Sequence, residues 1–139
     1  MPLRLTVILF VVISMAACSD EDSLKPFTTD GCSAFPDGTL EHRELWLVCC
    51  TAHDLAYWQG GTSAERQQAD QALHSCVARS GESEIAALML AGVRAGGSPY
   101  FPTQFRWGYG WPYPRGYKAL SDKEQERIRL AFYGTQSHD

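Results

Sequence analysis

Hydrophobic residues recur at helical spacing in several stretches of this chain, and glycine pairs and capping motifs separate these stretches. The first stretch predicts a helix from about Thr39 to Gln59, which Gly60-Gly61 ends, because glycine commonly follows a helix C-terminus. Thr62-Ser63-Ala64-Glu65 is a capping box, a motif that opens helices, and it predicts a second helix to about Arg79. A connection this short makes the two helices antiparallel neighbours.

Two further helices are predicted after this pair. Apolar residues keep helical spacing from Glu82 to Ala95, where Gly96-Gly97 follows, and Ser121-Asp122-Lys123-Glu124 is a second capping box that opens a last helix to about Tyr133. Residues 98–118 are rich in aromatic side chains, proline and glycine, which predicts an irregular segment. No stretch favours a strand, so the expected fold class is all-α.

The N-terminal stretch has the composition of an export signal. Met1-Pro2-Leu3-Arg4 precedes an apolar run that ends at Met15, which is too short for a permanent membrane span. Met15-Ala16-Ala17-Cys18 is similar to a bacterial lipobox, in which Cys18 would be lipidated and become the new N-terminus. The predicted organisation is a signal peptide over residues 1–17, a lipidated tether over 18–29 and one domain over 30–139.

Length and charge agree with this organisation. A chain of 139 residues favours a single domain, and a net charge of −4 argues against a nucleic-acid binder. We expect the protein in the bacterial cell envelope, where Ser19 after the lipidated cysteine favours the outer membrane. Ordinary cleavage, which would leave a secreted or periplasmic protein, is the alternative.

Cysteine number is also consistent with export. If Cys18 carries lipid, the four cysteines that remain can form disulfides in an oxidising compartment; they are Cys32, Cys49, Cys50 and Cys76. Four cysteines allow three pairings. A bond between the adjacent Cys49 and Cys50 would close a strained ring, which leaves two pairings open.

One of these two pairings brings chemically useful residues together. If Cys49 bonds Cys76, His53 lies ~6 Å and Tyr57 ~12 Å from the bond along the first helix. Asp70 lies ~9 Å back along the second helix, in the same direction because the helices are antiparallel. Asp70 would then accept hydrogen bonds from both, the arrangement that orients a general-base histidine.

The same pairing joins Cys32 to Cys50 and predicts a cation site. It would hold the turn-rich loop over residues 30–38 against Asp54, which lies one helical turn beyond Cys50. Loop oxygen atoms together with the Asp54 carboxylate suit a hard cation, calcium above others. A bond between Cys32 and Cys49 would break this geometry.

These motifs resemble the secreted phospholipase A2 superfamily. Residues 49–57 match the C-C-x-x-H-D-x-C-Y helix of the animal and venom enzymes, with Ala56 in place of a cysteine. On the second helix, Asp70 is followed six residues later by Cys76, as in the family. Ala69 also replaces a cysteine of the family, and in those enzymes the cysteines at the positions of Ala56 and Ala69 bond each other, so their joint absence is consistent. Residues 29–37 are similar to the T-D-x-C-x-x-x-P-D loop of bacterial and fungal members. The resemblance covers residues 29–76.

The resemblance implies calcium-dependent hydrolysis of the sn-2 ester of glycerophospholipids at a membrane surface. It assigns His53 to proton abstraction from water, Asp70 to holding the imidazole, and Tyr57 to supporting Asp70. It assigns calcium to the Asp54 and Asp30 carboxylates and the Gly31 carbonyl. A non-catalytic envelope lipoprotein on the same scaffold, and a hydrolase or antibacterial toxin acting on another ester, are the competing hypotheses.

The aromatic segment allows two interpretations. Half of the sixteen aromatic residues lie between Tyr100 and Tyr117, and no acidic residue occurs between Ile85 and Ser121. Aromatic rings beside basic residues suit an interface with anionic phospholipid. Alternatively, the large rings complete a small core, and the two roles are compatible. The basic residues of this region are Arg94, Arg106, Arg115 and Lys118.

Overall fold

The computed structural model describes residues 23–136, so the predicted signal peptide and Cys18 lie outside the described residues. Within that range the chain forms four α-helices and no strand, which confirms the all-α prediction. The helices are α1 (Leu47–Gln59), α2 (Ser63–Arg79), α3 (Ser83–Gly96) and α4 (Asp122–Gln136). No helix in the described part combines the length and the apolar character needed to cross a membrane.

The α1–α2 hairpin forms as its local signals predict. Gly60 ends α1 with φ 70°, and its N–H donates to the Ala56 carbonyl at 3.1 Å. Thr62 caps α2 through two reciprocal hydrogen bonds with Glu65. The Glu65 N–H donates to the Thr62 hydroxyl oxygen at 3.2 Å, and the Thr62 N–H donates to the Glu65 carboxylate at 2.6 Å. Residues 98–118 contain turns but no helix, also as predicted.

The first helix begins at Leu47, about two turns later than the predicted Thr39. Residues 39–46 form turns because Trp46 is bonded to the preceding loop. Its indole N–H donates to the Pro36 carbonyl at 2.6 Å, and its backbone N–H donates to the Asp37 carbonyl at 3.0 Å. These contacts depend on tertiary structure, so the helical pattern of the sequence does not reveal them.

Two disulfides cross-link the site region, Cys32–Cys50 and Cys49–Cys76, with Cα–Cα distances of 4.9 and 5.7 Å. The predicted pairing is therefore confirmed. The adjacent cysteines link α1 to the loop on one side and to α2 on the other. The Cys49–Cys76 bridge lies in a core cluster that also contains Trp46, Val77 and Met89.

The irregular segment completes the C-terminal end of α1. A helix leaves its last carbonyl groups without partners inside the helix. Here Gly108 N–H donates to the Tyr57 carbonyl at 2.7 Å, and the Trp111 indole donates to the Gln59 carbonyl at 2.8 Å. Both Trp107 and Trp111 are only 1% exposed, so part of the aromatic segment is core.

Residues 24–29, which the sequence places in the tether, pack against the fold. Lys25 N–H donates to the Gly110 carbonyl at 2.8 Å, and the Trp58 indole donates to the Lys25 carbonyl at 2.8 Å. Leu24 and Phe27 contact a second core cluster formed by Trp58, Trp111 and Ile128. The packed part of the chain therefore extends at least as far back as Leu24.

Glu124 connects the start of α4 to the irregular segment. It is 4% exposed, its carboxylate bonds the Ser121 N–H at 2.9 Å, and it pairs with Arg115 at 2.9 Å and Lys118 at 3.2 Å. Burial alone would raise the pKa of Glu124, but hydrogen bonds from Arg115, Ser121 and Lys118 outweigh burial and lower the pKa to about 2.

We expect Glu124→Gln to lower the free energy of unfolding at pH 7 by on the order of 2–3 kcal/mol. The difference should shrink as the pH falls from about 5 towards 2, because a carboxylate with a depressed pKa contributes stability only while it is ionised. Urea unfolding at several pH values measures it. Glu126→Gln is the control, since its exposed pair with Arg129 contributes little. A loss that is equal at pH 7 and pH 2 would contradict the assignment.

Candidate active site

The cross-linked helix pair places His53, Tyr57 and Asp70 in one hydrogen-bonded group. His53 Nε2 lies 3.0 Å from Asp70 Oδ1, and the Tyr57 hydroxyl donates to the same oxygen at 2.7 Å. Asp70 is fully buried and His53 is 8% exposed. The register predicted from the Cys49–Cys76 bond therefore agrees with the structure at each of these three residues.

The protonation of the histidine follows from its partner. An ionised carboxylate only accepts hydrogen bonds, so His53 carries its proton on Nε2 and donates it to Asp70. Nδ1 then holds the free lone pair, the feature that a general base requires. The rings of His53 and Tyr57 lie 4.2 Å apart, which restricts the imidazole on one face.

Tyr57 is held as a neutral donor. Burial raises its pKa, and the neighbouring Asp70 raises it further, although a hydrogen bond from Arg66 acts in the opposite direction. Its hydroxyl accepts that bond from Arg66 Nε at 3.0 Å while donating to Asp70. This geometry fits the support role expected for Tyr57 and leaves the hydroxyl proton engaged with the carboxylate.

Two arginines at the site were not anticipated from the sequence. Arg94 of α3 places Nε 2.7 Å from Asp70 Oδ2 as an ion pair, without the alignment of a hydrogen bond, and Arg66 Nε lies 4.0 Å from the same oxygen. Arg66 precedes Asp70 by four residues and so shares its helical face, a signal that could have identified it. Arg94 has no comparable local signal, because its position depends on how α3 packs on α2.

The loop before α1 surrounds the second acidic group. Asp54 Oδ2 accepts a 2.7 Å hydrogen bond from the Thr29 hydroxyl, which in turn accepts one from the Gly31 N–H at 3.1 Å. Burial raises the pKa of Asp54, bonding to Thr29 and the proximity of His53 lower it, and the charge of Asp30 raises it. The Asp30 charge therefore acts directly on Asp54.

Glycine is required at position 31 of this loop. Gly31 has φ 74°, and a Cβ atom there would collide with the Asp37 carboxylate, whose Oδ1 accepts from the Cys32 N–H at 2.8 Å. Asp30 is exposed and accepts from the Ser33 hydroxyl at 2.8 Å. Asp37 thus maintains the loop conformation, while Asp30 is available at the surface.

The donor set of this loop fits a hard divalent cation. Asp54 and Asp30 carry carboxylate oxygens whose mutual repulsion a cation would relieve. Within residues 23–136 no three His, Cys, Asp or Glu side chains come together as a metal site. A cation here would take two carboxylates and complete its shell with backbone oxygens and water, which calcium tolerates.

A cavity of about 750 Å³ opens beside these groups. Its polar lining includes His53, Asp54 and Asp30, and its apolar lining comes mainly from α3 and the aromatic segment. Gly92 and Gly96 of α3 face it, and a Cβ added at either would meet no atom within 4 Å. The volume falls within the roughly 300–1,000 Å³ of small-ligand sites.

Part of the rim of the cavity is apolar. Leu88, Phe101 and Phe105 line it with 59%, 51% and 43% of their surface exposed. Two of the basic residues of this region have internal partners: Arg106 is buried and donates to backbone carbonyls, and the Arg115 side chain pairs with Glu124. Internal partners therefore neutralise most of these charges, and the buried Trp107 and Trp111 fit the interpretation in which the large rings complete a small core.

Comparison of the chain with protein-family models, curated proteins and solved structures finds no match. The function is therefore inferred from the geometry of the site and from the motifs of the sequence.

We expect Asp54→Asn to stabilise the calcium-free protein at pH 7. The pKa of Asp54 is raised on folding, so its ionisation at neutral pH costs stability, and asparagine removes that cost. Thermal unfolding in chelator measures the effect, which should vanish at acidic pH where Asp54 is protonated. A variant that is less stable than the wild type under these conditions would contradict the electrostatic description.

Proposed function

We propose that this chain is a calcium-dependent, phospholipase A2-like hydrolase that cleaves the sn-2 ester of glycerophospholipids with water activated by His53. One observation carries the proposal: the buried His53–Asp70 pair lies at an apolar cavity that the Asp54 carboxylate also lines. A binding scaffold has no physical need for a histidine whose basic nitrogen is free and whose other nitrogen is bonded to a buried acid.

In the proposed reaction a water molecule at His53 Nδ1 loses a proton to the imidazole as its oxygen attacks the ester carbonyl carbon. Asp70 keeps the ring in the required tautomer through the Nε2 proton and stabilises the imidazolium that forms. The imidazolium then returns the proton to the departing alkoxide. The products are a fatty acid and a lysophospholipid, and no covalent enzyme intermediate is needed.

Asp54, Asp30 and the Gly31 carbonyl are the proposed calcium ligands. Calcium bound there would supply the positive charge that binds the substrate phosphate and polarises the ester carbonyl. The Thr29 hydroxyl orients Asp54 by bonding one of its oxygens. The proposed metal ligand lies next to the proposed base, because Asp54 directly follows His53 on α1.

The apolar cavity and its exposed rim support a lipid substrate. Large exposed apolar side chains that surround a cavity mark an interaction site, and phenylalanine rings enter the boundary between headgroups and acyl chains. Lipidation at Cys18 would keep the protein at a membrane of the cell envelope. The two disulfides agree with an oxidising compartment.

Fatty-acid release from mixed phospholipid vesicles tests the proposal. We expect release with calcium, loss of release in chelator, and a decrease of roughly 10²–10⁴-fold in His53→Ala, the range typical of general-base removal. His42→Ala is the matched control, because His42 is exposed and lies outside the cavity.

Each outcome of this assay has a distinct meaning. No release in any condition would overturn the proposed enzymatic function and favour the non-catalytic lipoprotein. Release that survives the chelator would overturn the calcium role, and release that survives His53→Ala would overturn the base assignment.

We expect the rim to bind membranes through apolar rather than electrostatic contacts. In protein carrying Cys18→Ser, so that no lipid anchor contributes, Phe101→Ser with Phe105→Ser should weaken vesicle binding by about tenfold or more. Leu130→Ser, at an exposed position of α4 outside the cavity, is the control. Binding that requires anionic lipid and is abolished by salt would contradict the apolar interface.

A further inference from the structure

Asp70 divides its two oxygens between two sets of partners. Oδ1 accepts from His53 and Tyr57, at 3.0 and 2.7 Å, on the cavity side. Oδ2 faces the guanidinium groups of Arg94, at 2.7 Å, and Arg66, at 4.0 Å. The two sets differ in charge, because the first comprises neutral donors and the second comprises cations.

The buried carboxylate needs such a cation. Asp70 has no exposed surface, and a buried charge is tolerated only when it is paired and hydrogen-bonded. The neutral His53 and Tyr57 supply donors but no positive charge. Arg94 supplies the charge at the shortest distance, and its Nη2 also donates to the Gln67 carbonyl at 3.3 Å.

The same ion pair determines how the carboxylate is rotated. The terminal torsion of an aspartate side chain is broad, so bonds at one oxygen leave the plane of the carboxylate poorly defined. The contact between Oδ2 and Arg94 fixes the second oxygen and therefore the plane of the carboxylate. With Oδ2 directed to α3, Oδ1 can only face His53 and Tyr57.

Arg66 holds the part of α3 that carries Arg94. Its Nη2 donates to the carbonyls of Val93 and Arg94 at 2.9 and 3.0 Å, at the end of that helix. Its Nη1 donates to the Tyr117 hydroxyl at 2.7 Å, and its Nε donates to the Tyr57 hydroxyl at 3.0 Å. The distance between α2 and the end of α3 is thereby set next to Asp70.

We infer that Arg94 is a positioning residue for the His53–Asp70 pair. Arg94 fixes the Asp70 carboxylate through Oδ2, so that Oδ1 orients the imidazole. The kinetic consequence rests on the proposed function, whereas the effect on the hydrogen bond between His53 and Asp70 does not. Arg94 touches neither the cavity nor a reacting atom, so it acts through Asp70 alone.

The kinetic test uses the partial exposure of Arg94, whose side chain is 41% exposed. Arg94→Ala should lower kcat by about tenfold to a hundredfold, the cost of a misplaced catalytic group, while KM stays within about twofold. Because the space left by the side chain opens to solvent, millimolar guanidinium should restore part of kcat. Arg94→Lys, which keeps the charge, should retain more activity than Arg94→Gln.

The spectroscopic test is independent of turnover. The Nε2 proton of His53, bonded to a buried carboxylate, should give a downfield and slowly exchanging ¹H–¹⁵N signal in the wild type. In Arg94→Ala and Arg94→Gln this signal should move upfield or exchange with water, and guanidinium should restore it in the alanine variant. Arg129→Ala, which removes an exposed ion pair on α4, is the control and should leave the signal unchanged.

The two readouts separate failure of the inference from failure of the proposed function. An unchanged His53 proton in folded Arg94→Gln, with unchanged kcat, would overturn the positioning role. If the wild type shows no hydrolysis, the proposed function fails, and the His53 proton alone decides the inference. If Arg94→Ala does not fold, Arg94→Gln, which fills more of the space, gives the same test, with circular dichroism confirming its helices.

Discussion

The bond between Cys49 and Cys76 fixes the register of α1 against α2, and the candidate site depends on that register. Each residue along a helix turns the side chain by about 100°, so a slip of one position would direct Asp70 away from α1. A carboxylate that is fully buried without its partners is very costly. The cross-link and the hydrogen bonds from His53 and Tyr57 therefore favour the same arrangement of the two helices.

Adjacent cysteines let one helix serve two different chemical environments. Cys49 and Cys50 point to different sides of α1, one towards α2 and the other towards the loop that contains Cys32. His53 and Asp54 lie one turn further along α1, so His53 faces α2 as Cys49 does and Asp54 faces the loop as Cys50 does. The imidazole consequently meets a buried acid, while the neighbouring carboxylate meets the loop hydroxyl of Thr29.

Local sequence signals predicted the helices and the register, because capping boxes, glycine pairs and cysteine spacing act over short distances. They placed the start of α2 at the Thr62 cap and brought Asp70 level with His53 and Tyr57. These local signals failed where contacts between distant parts of the chain determine the structure.

The failures have specific physical causes. Bonds from Trp46 to the preceding loop delay the start of α1, and no pattern in the sequence encodes them. The packing of α3 on α2 brings Arg94 to Asp70, and only that packing could reveal the pair. The sequence also shows a charged residue but not its partner, and only the structure reveals that Arg106 and Arg115 are bonded internally.

The aromatic segment couples the rim of the cavity to the interior of the site. Trp107 packs edge-on against the Tyr57 ring at 5.0 Å, and the next residue, Gly108, donates its N–H to the Tyr57 carbonyl at 2.7 Å. The segment that carries the exposed Phe101 and Phe105 therefore also positions the hydroxyl that bonds Asp70. Because both functions share one continuous stretch of backbone, a displacement at the rim would be transmitted to Tyr57 by direct contact.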